Sequence, residues 1–270
     1  MITEAALALH DAGLCVLPAA ADGTKMPALA WKQYQSTRPG RDQVRAWAQH
    51  SDGIGVLCGQ VSGNLEMVEA EGRAVNLLPE VTALMADHDL AEVWSRIVMG
   101  YAETSPAGGF HWYIRISDGP ALPNRKLARV PNPTPNEPKR VDVLFETRGE
   151  GGWVITAPSN GTTHPNGGAW KVITGGPDTI PTVTVDERDS VYSVLAMFDQ
   201  MPVDNGPARP AAATGTIDGL RPGDEYNLKA DWEDILDGWT RVRRMGAGYA
   251  WRRPGKSIGI SATTGQADDA

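Results

Sequence analysis

Three short runs carry the residue types that could do chemistry. Glu69-Ala70-Glu71 closes an apolar stretch, 65–71, that reads as a strand. With a side-chain period of two, Leu65, Met67, Glu69 and Glu71 share one face. Two carboxylates side by side on one face repel unless a cation lies between them, and Mg²⁺ and Mn²⁺ prefer such oxygen ligands. The second run is Ser105-Pro106-Ala107-Gly108-Gly109-Phe110-His111. Its paired glycines let a backbone approach a ligand closely and offer N–H groups to an anion. His111 and Arg115, on one face of the strand beyond, suit a triphosphate. The third run is Val141-Asp142-Val143-Leu144-Phe145-Glu146, followed by Thr147-Arg148-Gly149-Glu150-Gly151-Gly152. Asp142 and Glu146 share a face, so a further carboxylate can join the first pair, and Arg148 opens a glycine turn from which it can meet phosphate. Each run alone also has an ordinary reading: a solvated edge strand, a turn before a core histidine, a hairpin with a charged end. Their order in one chain is what carries the inference.

The elements that must position these runs alternate along the chain. The patterning predicts a short helix over 4–12 and an apolar strand over 14–18. A helix follows over 41–50, with Val44, Trp47 and Ala48 on one face, and then a strand over 53–59. Between the 14–18 strand and the 41–50 helix lies a loop with Lys25, Trp31 and Lys32. A helix is expected over 78–94 and a strand over 111–116. Residues 117–140 read as a loop rich in Pro, Asn and basic residues, 141–146 and 153–156 as strands, and 148–152 as a turn. A mixed helix-and-sheet core therefore spans 1–202. Residues 203–216 (VDNGPARPAAATGT) have no period and read as a linker. Residues 217–270 form a small accessory segment with Trp232, Trp239 and Trp251. It ends without a closing element, as expected of a cut through a longer protein. Its Gly255-Lys256-Ser257 is not a phosphate-binding loop, because Ala250 stands where the first glycine of that motif belongs.

The bulk numbers narrow the class. At 270 residues, with 41% hydrophobic and 21% charged residues, the chain is not disordered throughout. Its 30 glycines and 20 prolines speak against a helix bundle. A net charge of −8 means that any nucleic-acid contact must come from a local patch. The only two cysteines, Cys15 and Cys58, lie in apolar stretches and read as small buried hydrophobes, which excludes a cysteine-rich zinc site. No apolar run reaches the ~18 residues of a membrane span, and Glu4 stands where a signal peptide would carry positive charge, so a cytoplasmic protein is expected.

Taken in order, the motifs resemble those of the primase–polymerase (prim-pol) domains of the archaeo-eukaryotic primase superfamily, found in phage and plasmid replication proteins. The resemblance runs from Lys25-Met26-Pro27 and Trp31-Lys32 through Glu69-Ala70-Glu71-Gly72 and Gly108-Gly109-Phe110-His111. It continues through Glu146 to Trp153, then Ala157-Pro158-Ser159 and His164-Pro165-Asn166-Gly167. It implies an α+β fold: a primase-like core with an RRM-like sheet, an N-terminal α/β module and a small C-terminal appendage. It further implies a DNA primase and DNA polymerase that makes and extends primers on a single-stranded DNA template from dNTP or NTP. Two divalent cations, Mg²⁺ or Mn²⁺, would be held by Glu69, Glu71 and Glu146, with Asp142 as the substitute for Glu146. His111, the Gly108-Gly109 turn, Arg148 and Lys25 would hold the triphosphate. Arg125, Lys126, Arg129, Lys139 and Arg140, in a span whose one acid is Glu137, would contact the DNA backbone. A helicase region is expected downstream, and no membrane partner. Two departures stand out: Glu-x-Glu replaces the usual Asp-x-Asp or Asp-x-Glu, and Gly109 stands where many members have Ser two residues before the histidine. The rival readings are a metal-dependent nuclease and a catalytically inactive single-strand-binding or helicase-loading module.

Overall fold

The computed structural model describes residues 2–202, 231–245 and 248–265. The chain divides into two compact units, Met1–Gln200 and Met201–Ala270. The first is an α+β unit whose strands form two sheets. The small sheet joins β1 (Cys15–Pro18), β2 (Ile54–Leu57) and β8 (Trp153–Thr156), all antiparallel. The large sheet has the order β6 (Arg125–Pro131), β7 (Val141–Arg148), β3 (Leu65–Ala70), β5 (Phe110–Ile116), β4 (Tyr101–Thr104), β9 (Lys171–Thr174), and β10 (Thr182–Val183) pairs parallel to the end of β5.

Side-chain alternation gives the large sheet two unlike faces. One face turns Val68, Trp112, Ala102 and Phe145 towards α3 (Leu78–Asp87), α4 (Ala91–Met99) and α5 (Val185–Ala196), where Trp94 of α4 meets Trp112 edge-on at 5.4 Å. The completely buried Glu66 belongs to this face, accepting from Arg188 (3.2 Å) and Tyr192 (2.6 Å) of α5 and from the Leu122 backbone N–H (2.8 Å). On the opposite face Leu65, Met67, Tyr101 and Tyr113 pack against Val16, Ile54, Val56 and Val154 of the small sheet. Ala6 and Leu9 of α1 (Ile2–Asp11) and Val44 of α2 (Arg41–Ala48) close the same cluster. Cys15 and Cys58 are both buried free thiols.

Several expectations need correction. The helix expected over 78–94 is two helices, α3 and α4, broken where Asp89 takes a left-handed φ of 60°. Asp is among the few residues that accept this conformation readily. The expected loop 117–140 contains β6, whose pairing with β7 runs from Arg125↔Thr147 to Pro131↔Val141. β6 is an edge strand, so Pro131, which lacks an N–H, can end it without breaking an interior ladder. Strands β4, β9 and β10 and helix α5 were not anticipated.

In the second unit the described residues form α6 (Trp232–Ile235) and the antiparallel sheet β11 (Thr240–Met245), β12 (Gly248–Arg252), β13 (Ala262–Thr263). Trp251 is buried and donates to Thr264 Oγ1 at 3.1 Å, and Arg241 lies 4.6 Å from the centre of the Tyr249 ring. The expected linker 203–216 lies outside the described residues.

Candidate active site

The three runs converge because register places them in one row. Glu69 of β3 is opposite His111 of β5 on one side and Glu146 of β7 on the other, and His111 in turn is opposite Glu103 of β4. Paired residues point to the same face, so Glu146, Glu69, His111 and Glu103 form one polar line across the sheet. This line lies on the face turned towards the small sheet. There a cleft of about 540 Å³ is lined by Glu69, Glu71, Ser105, His111, Asn124, Glu146 and Arg148, with Lys25, Trp31, Trp153 and Trp170 among its other walls.

Glu71 follows the strand in extended conformation and stays on this face, accepting from Ser105 Oγ at 2.9 Å. The hydroxyl of Ser105 in turn accepts the Gly109 N–H at 3.1 Å. A Cβ at Gly109 would lie 2.5 Å from the Glu71 carboxyl carbon, so the Glu71 side chain fills the space that any larger residue would need. The hydroxyl that stands beside Gly109 is that of Ser105, folded back by the turn. The same turn corrects an expectation. The Gly109 N–H is engaged by Ser105 Oγ and the Gly108 N–H by the Ser105 carbonyl (3.0 Å), so neither is turned out to cradle phosphate.

Glu69, Glu71 and His111 each offer a ligand atom, all within 4.8 Å of one another. Glu69 Oε1 lies 3.4 Å from His111 Nε2, and His111 Nδ1 is buried with no hydrogen-bond partner among the described residues. Burial disfavours the Glu69 carboxylate, but His111, Glu146 and Arg148 outweigh it and hold its pKa down at about 2. Burial likewise works against a charged His111, and the carboxylates of Glu69, Glu103 and Glu71 more than compensate, raising it. Burial raises Glu71, with the neighbouring Glu69 charge adding to it against the Ser105 hydrogen bond.

Glu146 is not part of the tight trio. It accepts from Arg148, whose guanidinium also lies 4.0 Å from Glu69 Oε2. Burial and the Glu69 charge lift the Glu146 pKa from its ordinary 4.5 to about 7. A folded-state pKa above the unfolded one means that the fold holds a proton that the unfolded chain has lost. Metal-free stability therefore falls as pH rises from about 4.5 towards about 7, and Glu146→Gln should flatten that fall. Urea unfolding in chelator at the two ends of this window checks it; an identical slope in wild type and variant would refute it. Asp142 is corrected out of the set. Its carboxylate takes Arg73 (2.9 Å) and Asn132 (3.0 Å), four residues along the strand from Glu146 and outside the cleft lining.

The model of the bifunctional DNA primase/polymerase N-terminal domain, Prim-Pol, matches residues 6–187, two thirds of the chain. The chain belongs to the Prim-Pol family. A comparison with curated proteins finds no match. The Prim-Pol match covers every residue of the row and the cleft lining.

Within this Prim-Pol domain, Lys25 lines the cleft from a fixed loop. Its φ is 59°, Asp22 accepts from the Thr24 N–H at 2.9 Å, and the Lys25 carbonyl accepts the Trp153 indole N–H at 2.9 Å. The residues expected to hold DNA separate into two groups. Arg129 is bound to Asp199 through its backbone N–H (2.6 Å), Nε (3.3 Å) and a terminal nitrogen (3.1 Å), and Arg140 lies 3.7 Å from Asp142 and 3.9 Å from Glu137. Arg129 braces the fold, whereas Arg140, with only these long contacts, is exposed like Arg125, Lys126 and Lys139. Sequence reasoning gave no role to Asn124, whose Oδ1 accepts the Gly149 N–H at 2.9 Å and fixes the turn after Arg148, nor to Glu103. The sequence signal for the latter was a lone acid in Tyr101-Ala102-Glu103-Thr104, whose complete burial only the structure shows.

Proposed function

We propose that this Prim-Pol domain carries out template-directed nucleotidyl transfer on single-stranded DNA, making primers and extending them during phage or plasmid replication, in the cytoplasm. The carrying observation is the Glu69–Glu71–His111 trio on the floor of a cleft whose walls present Lys25 and Arg148. The strand order β7–β3–β5–β4 supports the RRM-like reading of the sheet.

The trio fits a divalent cation: two adjacent carboxylates, an imidazole, and a buried ring nitrogen without a partner. A nitrogen ligand beside the carboxylates tilts the set from Mg²⁺ towards Mn²⁺. A bound divalent cation supplies Lewis acidity for the attacking hydroxyl and neutralises charge on the departing pyrophosphate. The chain's own groups do the rest. Glu69 and Glu71 fix the position where the hydroxyl meets the α-phosphate. Arg148 and Lys25 orient the triphosphate, Arg148 with the planar fork that suits phosphate oxygens. Trp31, Trp153 and Trp170 give the cleft an aromatic wall against which a base can lie.

Template contact falls to Arg125 and Lys126. Replacing both by Ser should lower the salt slope of single-strand binding by roughly 1.4, at ~0.7 per phosphate contact. Arg129→Ser should instead lower the melting temperature through the lost Asp199 pair, with little change in slope. Equal slopes for wild type and the Arg125/Lys126 variant would remove this edge from the DNA path. No helix among the described residues is long and apolar enough to cross a membrane. A helicase region downstream remains part of this reading.

The direct test is primer synthesis on a random single-stranded template with NTP and dNTP supplied separately. Templated products from either pool support the reading; cleavage of the template without synthesis supports a nuclease instead.

A further inference from the structure

Glu69 faces two ways. One carboxylate oxygen belongs to the trio with Glu71 and His111, and the other is turned to Arg148 and Glu146. Glu69 and Glu146 are directly opposed on neighbouring antiparallel strands, a placement in which like charges destabilise the sheet. The Arg148 guanidinium lies beside both, bonded to Glu146 and 4.0 Å from Glu69, and offsets part of that repulsion. A bridging carboxylate with a cation on either side is the general plan of two-metal phosphoryl-transfer sites. Here one of the two positions already holds a positive charge that the chain itself provides.

The backbone around Arg148 is fixed, and its head reaches the cleft. The Gly149 N–H is held by Asn124, the Glu150 N–H by the Leu122 carbonyl (2.7 Å), and the Gly152 carbonyl by the Cys58 N–H (2.7 Å). The Arg148 side chain remains 35% exposed to the cleft, about twice as open as Glu146 at 18%. A guanidinium pairs with carboxylate and phosphate through the same planar geometry, so a triphosphate entering the cleft competes for it with a larger negative charge.

We propose that Arg148 is a resident counter-ion that holds the Glu69–Glu146 cation position in the nucleotide-free protein and leaves it for the incoming triphosphate. Cation binding is then ordered: one ion at Glu69, Glu71 and His111 without nucleotide, and a second only after Arg148 has moved. This rests on the metal and nucleotide reading given above. It explains why Glu146, the expected third ligand, stands apart from the trio.

The test counts ions rather than turnover. Mn²⁺ alone is titrated into the full chain by calorimetry and by electron paramagnetic resonance, for wild type, Arg148→Gln and Arg148→Lys, and dATP affinity is then measured at saturating Mn²⁺. Wild type and Arg148→Lys, which keeps the charge, should bind one Mn²⁺ without nucleotide. Arg148→Gln should bind two, the second with a Kd at least ~10-fold below the highest Mn²⁺ concentration at which wild type still binds one, while its dATP affinity falls ~10-fold, each the size of one lost charge-assisted hydrogen bond. Opposite signs for metal and nucleotide are the signature, because general damage to the site weakens both. Two ions in nucleotide-free wild type, or unchanged Mn²⁺ binding in Arg148→Gln, overturns the counter-ion role. Absence of both Mn²⁺ and dATP binding in wild type overturns the site reading, and this inference with it.

Discussion

Replacing Glu69 and Glu71 together by Gln should reduce both primer synthesis and primer extension by at least ~10³-fold, since several kcal/mol of barrier lowering depend on the cation they hold. The fold should survive. Both side chains are only partly buried and neither is a packing element of the apolar cluster between the sheets. Their single variants should differ in the metal-free protein. Glu71 carries its charge against burial and the nearby Glu69, so Glu71→Gln should hold or raise the melting temperature. Glu69 is supported by His111 and Arg148, and Glu69→Gln removes that support, leaving His111 buried without its closest carboxylate. Mn²⁺ should stabilise wild type, by about 2.7 kcal/mol at a hundredfold excess over Kd, and leave the double variant unmoved. Melting curves with chelator and with Mn²⁺, beside a primer assay, read all of this. Full synthesis by the double variant would end the metal-site reading.

The largest stability effect is expected at a residue that touches no substrate. Glu103 is completely buried and accepts from the hydroxyls of Tyr101, Tyr113 (3.1 Å) and Thr156 and from the Ala157 N–H (3.0 Å). Tyr101 and Tyr113 belong to the large sheet, and Thr156 ends β8 of the small one, so this one carboxylate ties together the two walls of the cleft. Glu103→Ala leaves four buried donors without their acceptor, a cost on the order of 4 kcal/mol. For a unit of this size that lowers the melting temperature by about 10 °C. The nucleotide KM should rise as the walls loosen. A melting temperature within about 2 °C of wild type would show that the donors find other partners and that Glu103 is not the tie.

How much of this was legible in the sequence follows from which forces act locally. The strand carrying Glu69 is legible from Leu65, Met67 and Val68, and both faces of β3 are buried although Glu66 interrupts the apolar pattern. The parity of Glu69 and Glu71 then fixes their shared face. Parity misleads at Asp142. It shares a face with Glu146 but lies four residues away, ~13 Å along the strand, and only tertiary structure shows Arg73 and Asn132 waiting there. β6 was hidden by its composition: prolines and basic residues mark loops in general, and an edge strand tolerates both. Helix α5 carried a readable start, since Thr184 and Glu187 form a reciprocal capping box. The joining of Ser105 to Gly109 and Glu71, by contrast, depends on a turn and a neighbouring strand at once. No spacing rule within one segment could have found it.

The most direct measurement is sequential calorimetry on the full chain, with Mn²⁺ first, a dNTP second, and a single-stranded oligonucleotide in a separate cell. The expected result is Mn²⁺ binding that Glu69→Gln plus Glu71→Gln abolishes, dNTP binding that requires Mn²⁺, and oligonucleotide binding that survives in the double variant. Mn²⁺ binding with no dNTP binding would contradict the polymerase assignment in favour of a nuclease, and oligonucleotide binding alone would reduce the site to an inactive DNA-binding module.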